Sequence, residues 1–187
     1  MRGFASVSSR LWGAWVLRSV GAQALEGGRE PRLSNLAAGL ARDLGIEPPR
    51  LWVIPSGGPN ALVVRVSGSA VATTRSLLEA YTRTELEAVV AHCLVRLRDR
   101  RRMRTTGLTV ALGLPARAAR SPAERSLEPE SLADDLATVS VTGYPPALAS
   151  AISKAEPVSG RFAPLWFVGV GPSQLAPERR VAELADL

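Results

Sequence analysis

The sequence predicts an α+β fold, mainly helical, with a small β layer near residues 50–74. Three observations carry this. Segments at 31–44, 85–100, 129–142, 146–155 and 177–187 read as helices, most of them with apolar residues three and four apart, the helical period. Between the first two lie Arg50–Ile54, Ala61–Val66 and Ala70–Thr74, short apolar and β-branched runs separated by turn residues. The chain has 187 residues, 46% of them hydrophobic, enough for one domain with a real core. Aromatics are only 5%, so Leu, Val and Ala must fill most of that core.

Taken in order, residues 1–24 form a basic N-terminal segment and 25–187 the domain. Leu11, Trp12, Trp15 and Val16 can share one helix face, which suits either a helix lying on an anionic membrane surface or one docked on the domain. The run LWGAWVL is too short to span a bilayer, which takes about 20 residues. GAQA, at 21–24, is only a weak candidate for a signal cleavage site. In 31–44, Leu33, Leu36, Ala37, Leu40 and Leu44 form an inward stripe, Gly45 suits the C-terminal cap, and Pro48-Pro49 forbid continuation. PSGGPN reads as a loop, Ser76–Tyr81 as a short helix, and Thr82 or Thr84 as the cap of the next one. That next helix, around 84–102, reads ELEAVVAHCLVRLRDR. Leu86, Val89, Val90, Cys93 and Leu97 make one apolar stripe, so it should be buried and central. Thr105–Leu114 is apolar but interrupted by glycine, and 116–125 is a polar connector. Leu165–Val170 is a strand or buried segment, and Val181 and Leu184 face inward from the last helix.

The net charge is +6, carried mostly by Arg. Nucleic-acid binding is not expected. The arginines are spread out except in RLRDRRRMR, Arg96–Arg104, where no aromatic side chain interleaves to stack on bases, so the run reads as a solvated helix end. The single cysteine, Cys93, rules out a disulfide framework and fits a reducing interior. The expected location is cytoplasmic, with peripheral contact to a membrane through residues 1–24 as the variant.

The helix 84–102 carries the only histidine, His92. In the zinc signature H-E-x-x-H, two His one turn apart bind the metal and the Glu between them activates its water. Here the same positions read His92-Cys93-Leu94-Val95-Arg96. Cys93 stands where the general base belongs. Arg96 stands at the second His, and a guanidinium has no lone pair for a metal. Cys93 lies in the apolar stripe, so it is expected to be a buried structural thiol and not a nucleophile.

Several segments in the same order resemble the HtpX-like zinc metallopeptidases, the group that also contains the CAAX-prenyl proteases. PRLSNLAAGLARDLGIEPPRLWVI resembles the family's PRL…NL…GL…PRL.VI run, and Asn60–Val63 its NAFA segment. Thr73–Glu79 resembles TTGLLE, and Glu85–Asp99 resembles ELEAVLAHELAH…RD. PESLADDLATVSVTGYPPALASAISK resembles RESLAD…TRYPPGL…AL.K, and Pro177, Glu178, Arg180, Val181 and Leu184 survive from HPP..ERI..L, with Ala176 in place of its His. The resemblance covers roughly residues 25–187 and implies a zincin-type domain.

Carried over by position, the resemblance puts the first zinc ligand on His92, the third on Glu130 and a supporting carboxylate on Asp134. The second ligand falls on Arg96 and the base on Cys93. Two ligands of three remain, fewer than zinc needs. The reading is therefore a degenerate, non-catalytic member acting as a binding or regulatory module, with no cofactor expected. Zinc would be the cofactor if the family activity were retained with atypical ligands. A peripheral membrane protein is the third reading. The substrate groove implied by the family lies beside Asn60, Ala61 and Leu62, where a peptide or protein partner could add as a strand. In the emptied site, Arg96 is expected to pair with Glu130, and Asp134 to accept from His92.

Overall fold

The β-branched runs lie side by side in one sheet. The computed structural model describes residues 12–26, 29–65, 68–113, 130–171 and 174–187; residues 1–11, the polar connector 116–125 and Pro129 fall outside them. In it β2 (Arg50–Ile54) runs parallel to β4 (Ser69–Thr74), and β3 (Ala61–Arg65) runs antiparallel to β4. A strand the sequence did not reveal, β1 (Gln23–Ala24), pairs antiparallel with β2 and sets the order β1-β2-β4-β3. GAQA thus contributes to the sheet, with Gln23 opposite Val53.

Both faces of the sheet are buried, which explains why its strands read as near-continuous apolar runs. Successive side chains point to opposite sides. Ala61, Val63 and Val71 face a larger core, with α2 (Pro31–Asp43), α4 (Arg83–Arg98), α7 (Pro145–Lys154) and Leu184 of α8 (Pro177–Ala185). Leu62, Val64, Ala70 and Ala72 face a smaller one, with Val16 and Leu17 of helix α1 (residues 12–19), Val110 of α5 (Arg100–Leu112), and Leu165 and Trp166. Residues 16–17 of the N-terminal segment are therefore docked on the sheet. Gly107 lets α1 approach α5: a Cβ there would fall 2.1 Å from the Trp12 ring. Two further α-helices among the described residues are α3 (Arg75–Ala80) and α6 (Glu130–Thr142). Among the described residues no helix is long and apolar enough to cross a membrane.

Helix α4 is the centre of the molecule, and it is buried on nearly every side, not along one stripe. Its start is fixed by a capping box. The Thr82 hydroxyl accepts from the Glu85 backbone N–H, and the Glu85 carboxylate accepts from the Thr82 N–H at 2.9 Å. Lys154 and Ser150 of α7 bind the same carboxylate at 2.9 and 2.6 Å. Burial alone would raise the Glu85 pKa, but Lys154, Ser150 and Thr82 outweigh it and hold the carboxyl at about 2. This folded value lies below the ordinary 4.5. The stabilisation is therefore fully present above pH 4.5 and is lost as the pH falls through 2. Glu85→Gln is expected to cost about 1–2 kcal/mol at neutral pH, discounted because Lys154 is half exposed, and to flatten the acid limb of the urea-midpoint curve. An unchanged acid limb would refute the assignment.

The predicted helix 84–102 is two helices. α4 stops at Arg98, and the Asp99 carboxylate accepts from the Arg102 backbone N–H at 2.9 Å, capping α5. Asp competes for backbone donors and so ends one helix and begins the next. The apolar run from Thr105 onward is helical to Leu112.

Candidate functional site

Helix α4 meets α6 along the line where the sequence placed the metal-type residues. His92, Arg96, Glu130 and Asp134 do converge there, and with Arg102, Ser131, Pro164, Trp166, Phe167 and Gln174 they line one cavity. Its volume is about 10 Å³, room for a single water at most.

The charges pair differently from the expectation. Arg102, swung inward by the break at Asp99, forms a two-pronged bond to Asp134 at 2.6 and 2.8 Å and reaches Glu130 with Nε at 3.2 Å. The expected partner, Arg96, sits 3.7 Å from Asp134 through Nε. Its other nitrogens donate to the backbone carbonyls of Pro164, Leu165 and Trp166. Arg96 is thus a clamp on a loop more than a partner of Glu130. The solvated helix end expected for Arg96–Arg104 is likewise corrected, since Arg96 is buried and Arg102 points inward. Burial lowers the Arg96 pKa, with Asp134 opposing. Burial also works against Arg102, but Asp134 and Glu130 outweigh it and raise its pKa.

His92 turns to a carboxylate the sequence did not single out. Its Nδ1 lies 3.3 Å from Asp135, not Asp134, and 3.5 Å from the Thr138 hydroxyl. Asp135 is held by Arg180, at 2.7 Å from Nε and 2.6 Å from the other prong. Arg180 also donates to the Phe167 carbonyl and is fully buried. Burial pushes the His92 pKa down, and although Asp135 opposes this, the ring is held neutral. Asp135 stays ionised because the Arg180 bonds overcome the burial that would raise its pKa. Two signals for this second cluster were in the sequence, the doubled Asp134-Asp135 and an Arg in the inward stretch of the last helix; neither carried a role on its own.

Cys93 lies in the larger core, and burial pushes its thiol up to about 12. It offers neither a base nor a nucleophile at the cavity.

The predicted peptide groove at Asn60, Ala61 and Leu62 is not open. All three are buried, and the chain's own later segment lies along that edge of the sheet. Leu62 forms a β-bridge with Trp166, and the Ala61 carbonyl accepts from the Phe167 N–H at 2.7 Å. The Asn60 amide donates to the Glu156 and Val168 carbonyls at 2.7 and 2.8 Å, and its oxygen accepts from the Ala61 and Val168 N–H groups. An apolar 165–168 segment thus covers an edge strand that would otherwise present bare backbone groups. Asn60→Ala is expected to lose about 3 kcal/mol or more in urea denaturation, because several buried backbone groups lose their partner together. A loss below about 1 kcal/mol would show that the amide is not what fastens the segment.

The donor set does not fit zinc. Among the described residues no three His, Cys, Asp or Glu side chains gather as metal ligands. Glu130 and Asp134 already share Arg102, and Arg96 brings a second positive charge to where a cation would sit.

The chain matches no established family profile. It is similar to curated proteins named "Protease HtpX homolog". The one from Halobacterium salinarum is 38% identical over 90 residues, 47% of this chain and 31% of the relative. The one from Thermococcus sibiricus is 36% identical over 81 residues, 42% of this chain and 28% of the relative. The one from Gemmatimonas aurantiaca is 32% identical over 93 residues, 48% and 33% respectively. The match spans about a third of the length of these relatives. The HtpX-like resemblance read from the sequence is borne out over about half of the chain.

Proposed function

We propose that this HtpX-like chain is a pseudopeptidase, a zincin-type domain that has given up metal-dependent hydrolysis and serves as a binding or regulatory module. The observation that carries the reading is the pairing of Glu130 and Asp134 with Arg102. A carboxylate that accepts two charge-assisted bonds from one guanidinium has little left to offer a cation. Cys93 at the base position supports it, since a buried thiol held near 12 cannot take a proton from water at neutral pH. The covered edge of β3 supports it further. A peptide adding to β3 would first have to displace 165–168, which Arg96 and Asn60 both fasten.

The test is elemental analysis of the purified chain after dialysis, with hydrolysis of an unfolded protein substrate measured in parallel. Zinc far below one per chain and no chelator-sensitive cleavage are expected. Stoichiometric zinc, with cleavage that a chelator abolishes, would overturn the reading. It would also establish the alternative that the names of the relatives favour, a zinc metalloendopeptidase with atypical ligands.

A further inference from the structure

Helix α5 has two sharply different faces. Met103, Gly107, Thr109 and Val110 are buried, Met103 in the larger core, Val110 in the smaller one and Gly107 against Trp12 of α1. On the opposite arc, within about 140° of one another at 100° per residue, stand Arg100, Arg101, Arg104, Thr105, Leu108 and Leu112, all exposed. The outward face is segregated along its length. Arginines fill the first turns and leucines the last, with Leu108 59% and Leu112 61% exposed.

Both ends are unusual for a surface helix. The arginines sit at the positive pole of the helix dipole, where cations are disfavoured. Arg65 of β3 is close enough that, after burial, Arg100 and Arg104 lower its pKa. Among the described residues no carboxylate lies within ion-pair distance of Arg100, Arg101 or Arg104. At the other end Trp15, 44% exposed, stacks under the Arg161 guanidinium at 5.1 Å, and Arg161 donates to the Val110 and Ala111 carbonyls. An indole beside a cation and two bare leucines is the combination that settles at a headgroup–acyl boundary.

We infer that the outward face of α5, with Trp15 beside its end, is a docking surface for an anionic lipid bilayer. The occupant follows from charge complementarity together with the leucines. Phosphate-bearing headgroups answer the three arginines, and acyl chains answer Leu108 and Leu112, which the backbone of a nucleic acid would leave exposed. The two leucines are one turn apart, about 6 Å along the helix, so both can enter the acyl boundary when the helix lies on the interface. Each arginine at the surface adds to the attraction, which fades within a Debye length. The surface stands apart from the α4–α6 cavity and does not depend on whether that cavity holds a metal.

The test is co-sedimentation of the full chain with sucrose-loaded vesicles, either pure phosphatidylcholine or about a third phosphatidylserine. Three variants accompany it: Leu108→Ser/Leu112→Ser, Arg100→Gln/Arg101→Gln/Arg104→Gln, and Arg2→Gln/Arg10→Gln as the N-terminal control. Circular dichroism confirms that each keeps its fold. Binding to the anionic vesicles is expected, with a drop of about tenfold or more for each α5 variant and little change for the control. Absence of binding would overturn the proposal. So would α5 variants that bind like the natural chain, or a control that accounts for the whole effect. Binding that survives the leucine substitutions but is competed away by duplex DNA would mark the face as a purely electrostatic one and overturn it as well.

Discussion

Arg180→Met is expected to be among the most destabilising single substitutions in this chain. It would leave the Asp135 carboxylate buried without its two-pronged partner, while the Phe167 carbonyl and the ring beneath the guanidinium lose theirs. Removing one member of a buried ion pair costs about 3–5 kcal/mol, and in a domain of this size that lowers Tm by roughly 10 °C. Arg180→Met/Asp135→Asn should recover much of the loss, because no uncompensated charge remains and the Asn oxygen can still face His92. Urea denaturation of the three proteins checks this. A single-variant cost below about 1 kcal/mol, or a double variant no better than the single one, would mean that the pair does not hold α8 to α6 as described.

The second large effect concerns metal. Arg96→His restores the second imidazole of the motif, yet it is expected to leave the protein without zinc, because Arg102 still holds Glu130 and Asp134. Arg96→His/Arg102→Ala removes the Arg102 bonds from both carboxylates and adds an imidazole to the cavity that His92, Glu130 and Asp134 line. It is expected to take up close to one zinc per chain, with a submicromolar Kd by competition with a chromogenic chelator, since three protein ligands make a zinc site. Zinc uptake by the single variant would show that Arg102 is no barrier. No uptake by the double variant would show that the carboxylates are not arranged for a metal at all. Neither protein is expected to hydrolyse peptides, because Cys93 remains at the base position.

The fold was largely legible because its signals are local. The helical stripes at 31–44 and 146–155, the β-branched runs, the Thr82 cap and Gly45 at a positive φ each depend on a few neighbours, and each stands within a residue or two of where the sequence put it. The break at Asp99 was local too, but it was hidden beneath the motif register, which favoured one unbroken helix. In the site, the register brought His92, Arg96, Glu130 and Asp134 to one cavity, but not the pairings among them. Which guanidinium meets which carboxylate depends on helix rotation and on where α5 leaves α4. Asp134 and Asp135 are adjacent in sequence yet serve different arginines from different helices. The covered β3 edge was illegible for the same reason, since a hydrogen bond from Asn60 to Val168 leaves no pattern in either segment alone.

The late partner of β3 also bears on how the chain reaches its native state. Strand β3 and its occupant are separated by about a hundred positions, and Val16 and Leu165 of the smaller core by about 150. Contacts across such separations form slowly, because a long loop must close before they offset its entropy. The helices of the larger core can assemble first. Until 165–168 arrives, an apolar strand edge stands unprotected, the kind of surface through which folding intermediates associate. Refolding yield should therefore fall as protein concentration rises, and a synthetic peptide spanning 158–170, added in excess during refolding, should compete for that edge.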